Sequence, residues 1–152
     1  MKRVLFIDVR NAMRSPIAEA WFNHLAGGFA QARSCGTMPA PHINLLTVQV
    51  MAEVGIDLSC HMTVPVTQAL LNQNDIIVLM GKDIHPHAFA PTFIWDFEDV
   101  NDPSLERVRE MRDRIFRQVE AFVEDLRRAY HDEIDWQVRI QQQLMSEYMI
   151  PL

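Results

Sequence analysis

The residues with chemistry to offer stand near the start of the chain. Asp8 closes the apolar run Val4-Leu5-Phe6-Ile7, and Arg14, Ser15 and Pro16 follow after a short interval. A loop between a buried strand and a helix turns several backbone N–H groups, with the positive end of the helix dipole, toward one point. That geometry would make an anion cradle of Val9, Arg10, Asn11, Ala12, Met13, Arg14 and Ser15. The planar guanidinium of Arg14 suits two oxygens of a phosphate, sulfate or other oxyanion. A carboxylate on the floor of the cradle should be held as the anion by the same donors, so Asp8 could be the cradle's own ligand. It could also act as nucleophile or base.

These residues need a scaffold, and the apolar pattern supplies one. Val4 to Ile7 reads as a strand buried on both faces. Ser15 is the expected N-cap of a helix that has Pro16 at its first position, carries Ile17, Ala20, Trp21, Phe22 and Leu25, and stops at Gly27-Gly28. Phe29 to Arg33 is a weaker strand, and a helix from about Ile43 to Val54 ends at Gly55. Thr67 caps a short helix over 68–72, Asp75 to Met80 is a second buried strand, and Thr92 to Trp95 a fourth strand. From Pro103 a long helix repeats Leu105, Val108, Met111, Ile115, Val119, Phe122 and Leu126 at three- and four-residue steps. The alternation implies a three-layer α/β/α sandwich around a mostly parallel four-stranded sheet, doubly wound, with ligands beyond the carboxyl ends of the strands. Residues 131–152 are Gln-rich and amphipathic, a helical appendage of the domain formed by 1–130 that docks back on it or meets a protein partner or second copy.

Composition narrows the function classes. The 152 residues are 49% hydrophobic and carry a net charge of −6, which argues for a compact fold and against a broad nucleic-acid surface. No run of apolar residues is long enough for a membrane helix, and the start lacks a signal peptide's apolar region, so a cytoplasmic location is expected. Cys35 and Cys60 read as small buried hydrophobes. His85-Pro86-His87 reads as a surface turn, His42 and His61 as structural residues, and neither a metal nor another cofactor is implied.

The segment VLFIDVRNAMRSPIAEAWF resembles the opening of the low-molecular-weight protein tyrosine phosphatase and thioredoxin-coupled arsenate reductase family, through Asn11, Arg14, Ser15, Pro16, Ala18 and Glu19. SCGT, VMAEVGIDLSCHMTVPVT, DIIVLM and WDFEDVNDPS resemble later family segments in order, so the resemblance spans roughly residues 3 to 128. It implies the family fold. It also implies a nucleophilic Cys at the first loop position, which here is Asp8, with Arg10 where Gly is usual and Met13 where many members have a second Cys. The downstream Cys pair of the arsenate reductases has no counterpart after Met80. The family's general acid falls at Asp99 by spacing from Trp95, or at Asp102 by its following Pro103; Asp102 also fits a helix N-cap, and Asp96 a strand end.

Two functions remain open. In the first, the chain is a degenerate member without thiol catalysis, an anion-binding or regulatory module. In the second it hydrolyses phosphate esters with Asp8 as nucleophile or base, Arg14 on the anion and Asp99 or Asp102 as acid. A phosphate within about 4 Å of the Asp8 carboxylate would cost on the order of 4 kcal/mol per charge pair at an effective dielectric of 20, which favours the first.

Overall fold

The computed structural model describes residues 1–148. Four strands, β1 (Lys2–Asp8), β2 (Ala30–Gly36), β3 (Ile76–Leu79) and β4 (Phe93–Ile94), form one sheet in the order β2-β1-β3-β4, and every pairing is parallel. Successive side chains of a strand point to opposite faces, and β1 uses both. Val4 and Phe6 enter the larger core, with Ile17, Trp21 and Phe22 of α1 (Arg14–Ala26), Val50 and Met51 of α2 (Leu45–Glu53), and Val108, Ile115 and Val119 of α4 (Leu105–Tyr148). Leu5 and Ile7 enter a smaller core with Cys35, Leu79 and Ile84, against which Leu70 and Leu71 of α3 (Gln68–Gln73) pack. The fully apolar strand is thus explained by a sheet covered on both sides.

Most boundaries fall where local rules place them. Asn44 and Thr67 cap α2 and α3 by accepting from the N–H groups of Leu46 and Leu70, and Gly55, just past α2, adopts a φ of 81° that favours glycine. Two caps differ from expectation. Ser15 is not the N-cap of α1: the helix begins at Arg14, and the Ser15 N–H donates to Asp8 Oδ2 at 2.8 Å, so a carboxylate from β1 does the capping. Asp102 does not cap α4 either. Ser104 Oγ accepts from the Arg107 N–H at 3.2 Å and the Ser104 carbonyl from Val108 at 3.0 Å.

The second strand reaches Gly36, beyond the expected Arg33. The long helix does not break near residue 130: α4 runs uninterrupted for 44 residues, about 66 Å at 1.5 Å per residue. The described side chains from His131 to Gln143 are exposed, so this stretch continues α4 away from the core instead of docking back on it. Residues 149–152 of the expected appendage lie outside the described residues. Pro86–Ala88 forms a single 3-10 turn, in agreement with a surface turn there.

Candidate functional site

The site begins where β1 stops. Asp8 is the last residue of β1 and is 2% exposed. The loop after it is tied down through its carbonyls: those of Asp8, Val9, Arg10 and Ala12 accept from the N–H groups of Thr37, Met38, Ala40 and Asn44. Gly36 permits this close approach, because a Cβ there would stand 2.6 Å from the Val9 oxygen and 2.9 Å from the Asn11 nitrogen. Asn11 turns the chain with a φ of 54°, in the left-handed region that Asn tolerates better than most residues. Its buried side chain locks the turn: Nδ2 donates to Ser15 Oγ and Ser34 Oγ, each at 2.9 Å, and Oδ1 accepts from the Val64 N–H at 3.0 Å. Ser34 Oγ in turn donates to Glu19 at 2.7 Å.

The cradle's donors converge on Asp8 itself. Oδ1 accepts from the Asn11 N–H at 2.6 Å and Oδ2 from the Ser15 N–H at 2.8 Å, at the positive end of α1. The carboxylate therefore sits where an oxyanion would be expected. Its ionisation departs from expectation: burial pushes its pKa above the ordinary carboxylate value, against the pull of the Ser15 N–H, the Arg14 charge and the Asn11 N–H. Desolvation outweighs the donors because scarcely any of the group reaches water.

Arg14 is equally committed. It is 3% exposed; Nη1 donates to Asp83 Oδ1 and Nη2 to Asp83 Oδ2, each at 2.8 Å, and Nη1 also donates to the Phe97 carbonyl at 2.9 Å. Burial works against its charge, but Asp83, with Asp8 and Asp99, more than offsets this and raises its pKa. The Arg14 hydrogen bonds hold the Asp83 carboxyl below its ordinary value. Gly81 makes room for the pair: a Cβ there would fall 2.3 Å from Arg14 Nη1 and 2.5 Å from Asp83 Oδ1.

A cavity of about 220 Å³ opens over the loop, lined by Asp8, Arg10, Ala12, Met13, Arg14, Ala40, His42, Asn44, Asp99, Val100, Asn101 and Pro103. Asp99 shares this cavity with Asp8 and also lines a neighbouring depression together with Asp102, Arg107 and Glu110, whereas Asp102 lines only the depression. Asp96 is exposed and pairs with Lys82 at 3.4 Å. His42, expected to be structural, lines the cavity. His61 lies with Nδ1 3.7 Å from Glu19 Oε2, and burial lowers its pKa. Of the two thiols, Cys35 is buried as expected and pushed up to about 12 by burial and by the nearby Asp8 and Glu19, while Cys60 is exposed, contrary to expectation. Asp83 escaped sequence reasoning altogether; its place just beyond β3, at the carboxyl edge of the sheet, was the one available hint. Among the described residues, no group of three or more His, Cys, Asp or Glu could hold a metal ion. No described helix is long and apolar enough to cross a membrane.

Comparison with known proteins places this geometry in a family. The sequence profile of the low molecular weight phosphotyrosine protein phosphatases matches residues 3–140. Arsenate reductase 2 of Staphylococcus epidermidis is 30% identical over 126 residues, covering 80% of this chain and 95% of the relative. A solved arsenate reductase in its phosphate-binding state superposes with a TM-score of 0.72 at 28% identity, over 82% of this chain and 98% of that one. The YwlE arginine phosphatase from Geobacillus stearothermophilus shares the fold, with a TM-score of 0.75 at 18% identity over the full length of both chains. This chain belongs to the low molecular weight phosphotyrosine protein phosphatase family.

Proposed function

We propose that this family member does not use thiol catalysis and acts as a binding or regulatory module, with an anion cradle filled by its own Asp8. The observation that carries the reading is the pair of bonds from the Asn11 and Ser15 N–H groups to the Asp8 carboxylate, 2.6 and 2.8 Å long. The resemblance of the opening segment aligns Asp8 with the family's nucleophilic cysteine. The thiol beside the loop, Cys35, is buried with its pKa pushed up to about 12, which keeps it protonated and unreactive. Arg14, the residue expected to hold an oxyanion, is engaged by Asp83. A phosphate, sulfate or similar ion would have to displace Asp8 from the cradle or dock above it, against the repulsion of its anionic form. Contacts with other molecules fall instead to the distal half of α4, where Ile134, Trp136, Val138 and Ile140 are exposed.

One observation favours the hydrolase reading: Asp8 and Asp99 line the same cavity, as a nucleophile or base and an acid would. Hydrolysis of an aryl phosphate by the native protein, with and without magnesium, beside Asp8→Ala and Asp8→Cys, separates the two. We expect the native protein to be inert and Asp8→Cys to gain turnover. Native turnover that disappears in Asp8→Ala would overturn the proposal in favour of an aspartate mechanism.

A further inference from the structure

At the amino edge of the sheet a second, smaller cleft is lined by Arg3 of β1, Gln31 and Arg33 of β2, Gln73 at the end of α3, and Asn74. Arg3 lies opposite Gln31 in the parallel ladder and Arg33 opposite Leu5, so all three share the sheet face that carries Leu5 and Ile7. Farther along that face Cys35 is buried with Leu5 and Ile7 in the smaller core, whereas Gln31 and Arg33 are exposed. The cleft therefore lies where the cover provided by α3 gives out, with Gln73 and Asn74 completing its lining. Five residues at about 3.3 Å each put Arg3 on the order of 16 Å along β1 from Asp8.

Every lining side chain carries hydrogen-bond donors and none is acidic, in a chain of net charge −6. Arg14, Arg109, Arg112, Arg127 and Arg128 are each paired with a carboxylate. Among the described residues, neither the Arg3 nor the Arg33 guanidinium has such a partner. Asp75 accepts from the main-chain N–H of Arg3 at 2.8 Å and not from its side chain, and Glu19 feels the Arg33 charge from beyond ion-pair distance. Asn74 Nδ2 donates to the Leu70 carbonyl at 2.7 Å, which fixes that amide in place. Arg3 and Arg33 are diagonal neighbours, about 8 Å apart at a strand spacing of about 4.8 Å and a rise of about 3.3 Å per residue. Two like charges so placed repel, and one oxyanion between them converts that repulsion into two charge-assisted pairs. The donors come from two strands and a helix end, an arrangement that suits tetrahedral oxygens better than a planar carboxylate. At about 90 Å³ the cleft has room for the anionic group alone, well under the roughly 300 Å³ at which pockets begin to enclose a drug-sized ligand.

We propose that this cleft is an anion site that takes a phosphate group, as the free ion or as the terminal phosphate of a monoester. Arg3 and Arg33 hold its oxygens, and the side-chain amides of Gln31 and Gln73 donate to those that remain. The inference is independent of the reading of Asp8.

Amide proton–nitrogen correlation spectra of the full chain test it, titrated with inorganic phosphate and separately with phosphoserine at an ionic strength held constant with sodium chloride. The expected result is saturable shifts of the main-chain amides of Arg3, Gln31 and Arg33 and of the Gln31 and Gln73 side chains. Binding should weaken at least about tenfold in the Arg3→Gln, Arg33→Gln double variant, the effect of losing one charge-assisted bond. Both arginines are exposed, so the variant should keep the native spectrum outside the cleft. Binding of inorganic phosphate alone assigns the free ion, and binding of phosphoserine assigns the esterified group. No shift, shifts that never saturate, shifts that sodium chloride reproduces by itself, or an unchanged affinity in the double variant overturns the site. Shifts confined to Val9 through Ser15 overturn it together with the self-filled cradle, whereas silence there leaves the cradle reading standing whatever the cleft does.

Discussion

Asp83 grips Arg14 by both ends of its guanidinium, each nitrogen 2.8 Å from its own carboxylate oxygen, across 69 positions of sequence. The residue that would hold an oxyanion is thereby held by the protein. Arg14 is buried while Asp83 is 38% exposed, so water screens the pair from one side.

Removing Asp83 tests the strength of this clasp. Asp83→Asn should destabilise the fold at neutral pH by about 1–2 kcal/mol, the cost of a charge-assisted pair after discounting for solvent screening. Because Arg14 holds the Asp83 carboxyl below its ordinary 3.8, this contribution is present above that value and lost as pH falls through the depressed one. Denaturant unfolding at neutral and strongly acidic pH should show a gap between wild type and variant that closes in acid. A gap of constant size would mean that the clasp is not ionic.

Asp8 has the opposite sign. Burial raises its pKa above 3.8, so its contribution to stability is complete below that value and diminishes as pH rises through the raised one. Asp8→Ala leaves the buried N–H groups of Asn11 and Ser15 without their acceptor, a loss of about 1–3 kcal/mol for each. The difference between wild type and variant, followed by thermal or denaturant unfolding, should narrow as pH increases. Widening would show that the donors outweigh desolvation.

Gly81 should admit no side chain. The Cβ of Gly81→Ala would meet Arg14, Asp83 and the Phe97 carbonyl, all within 2.7 Å, and the Phe97 backbone offers no flexible end to move aside. We expect a loss of about 1–3 kcal/mol, the usual cost of overpacking. An unchanged midpoint in chemical denaturation would mean that the clasp can shift at little cost.

The thiols should titrate separately. An aromatic disulfide reagent should modify one cysteine per native chain, exposed Cys60, and both of the chain's two only in denaturant, because Cys35 is buried with its pKa pushed up to about 12. Two fast-reacting thiols in the native protein would contradict the packing around Cys35.

What the sequence revealed and what it hid divide along a physical line. The apolar runs at Val4–Ile7 and 76–79 betrayed buried strands, and Thr67 its cap, because each depends on residues within a few positions of one another. The capping of α1 was misread for the same reason. Ser15-Pro16 has the local form of a helix start, but the acceptor for the Ser15 N–H comes from Asp8, seven positions back, on a strand. Asp83 was invisible because nothing near it refers to Arg14; the two meet only after β1 and β3 pair. Asp99 and Asp102 could not be told apart by spacing; both line the depression before α4, and only the fold of the turn after Trp95 brings Asp99 to the Asp8 cavity as well.

The continuity of α4 gives the molecule a mechanical property. Its first half is sunk in the core through Val108, Ile115 and Val119, beneath the same α1 that starts at Arg14. A packed interior has low compressibility and passes displacement on instead of absorbing it. A displacement of the packed first half of α4 is therefore passed to α1, whose first turn rests on the Asp8 carboxylate.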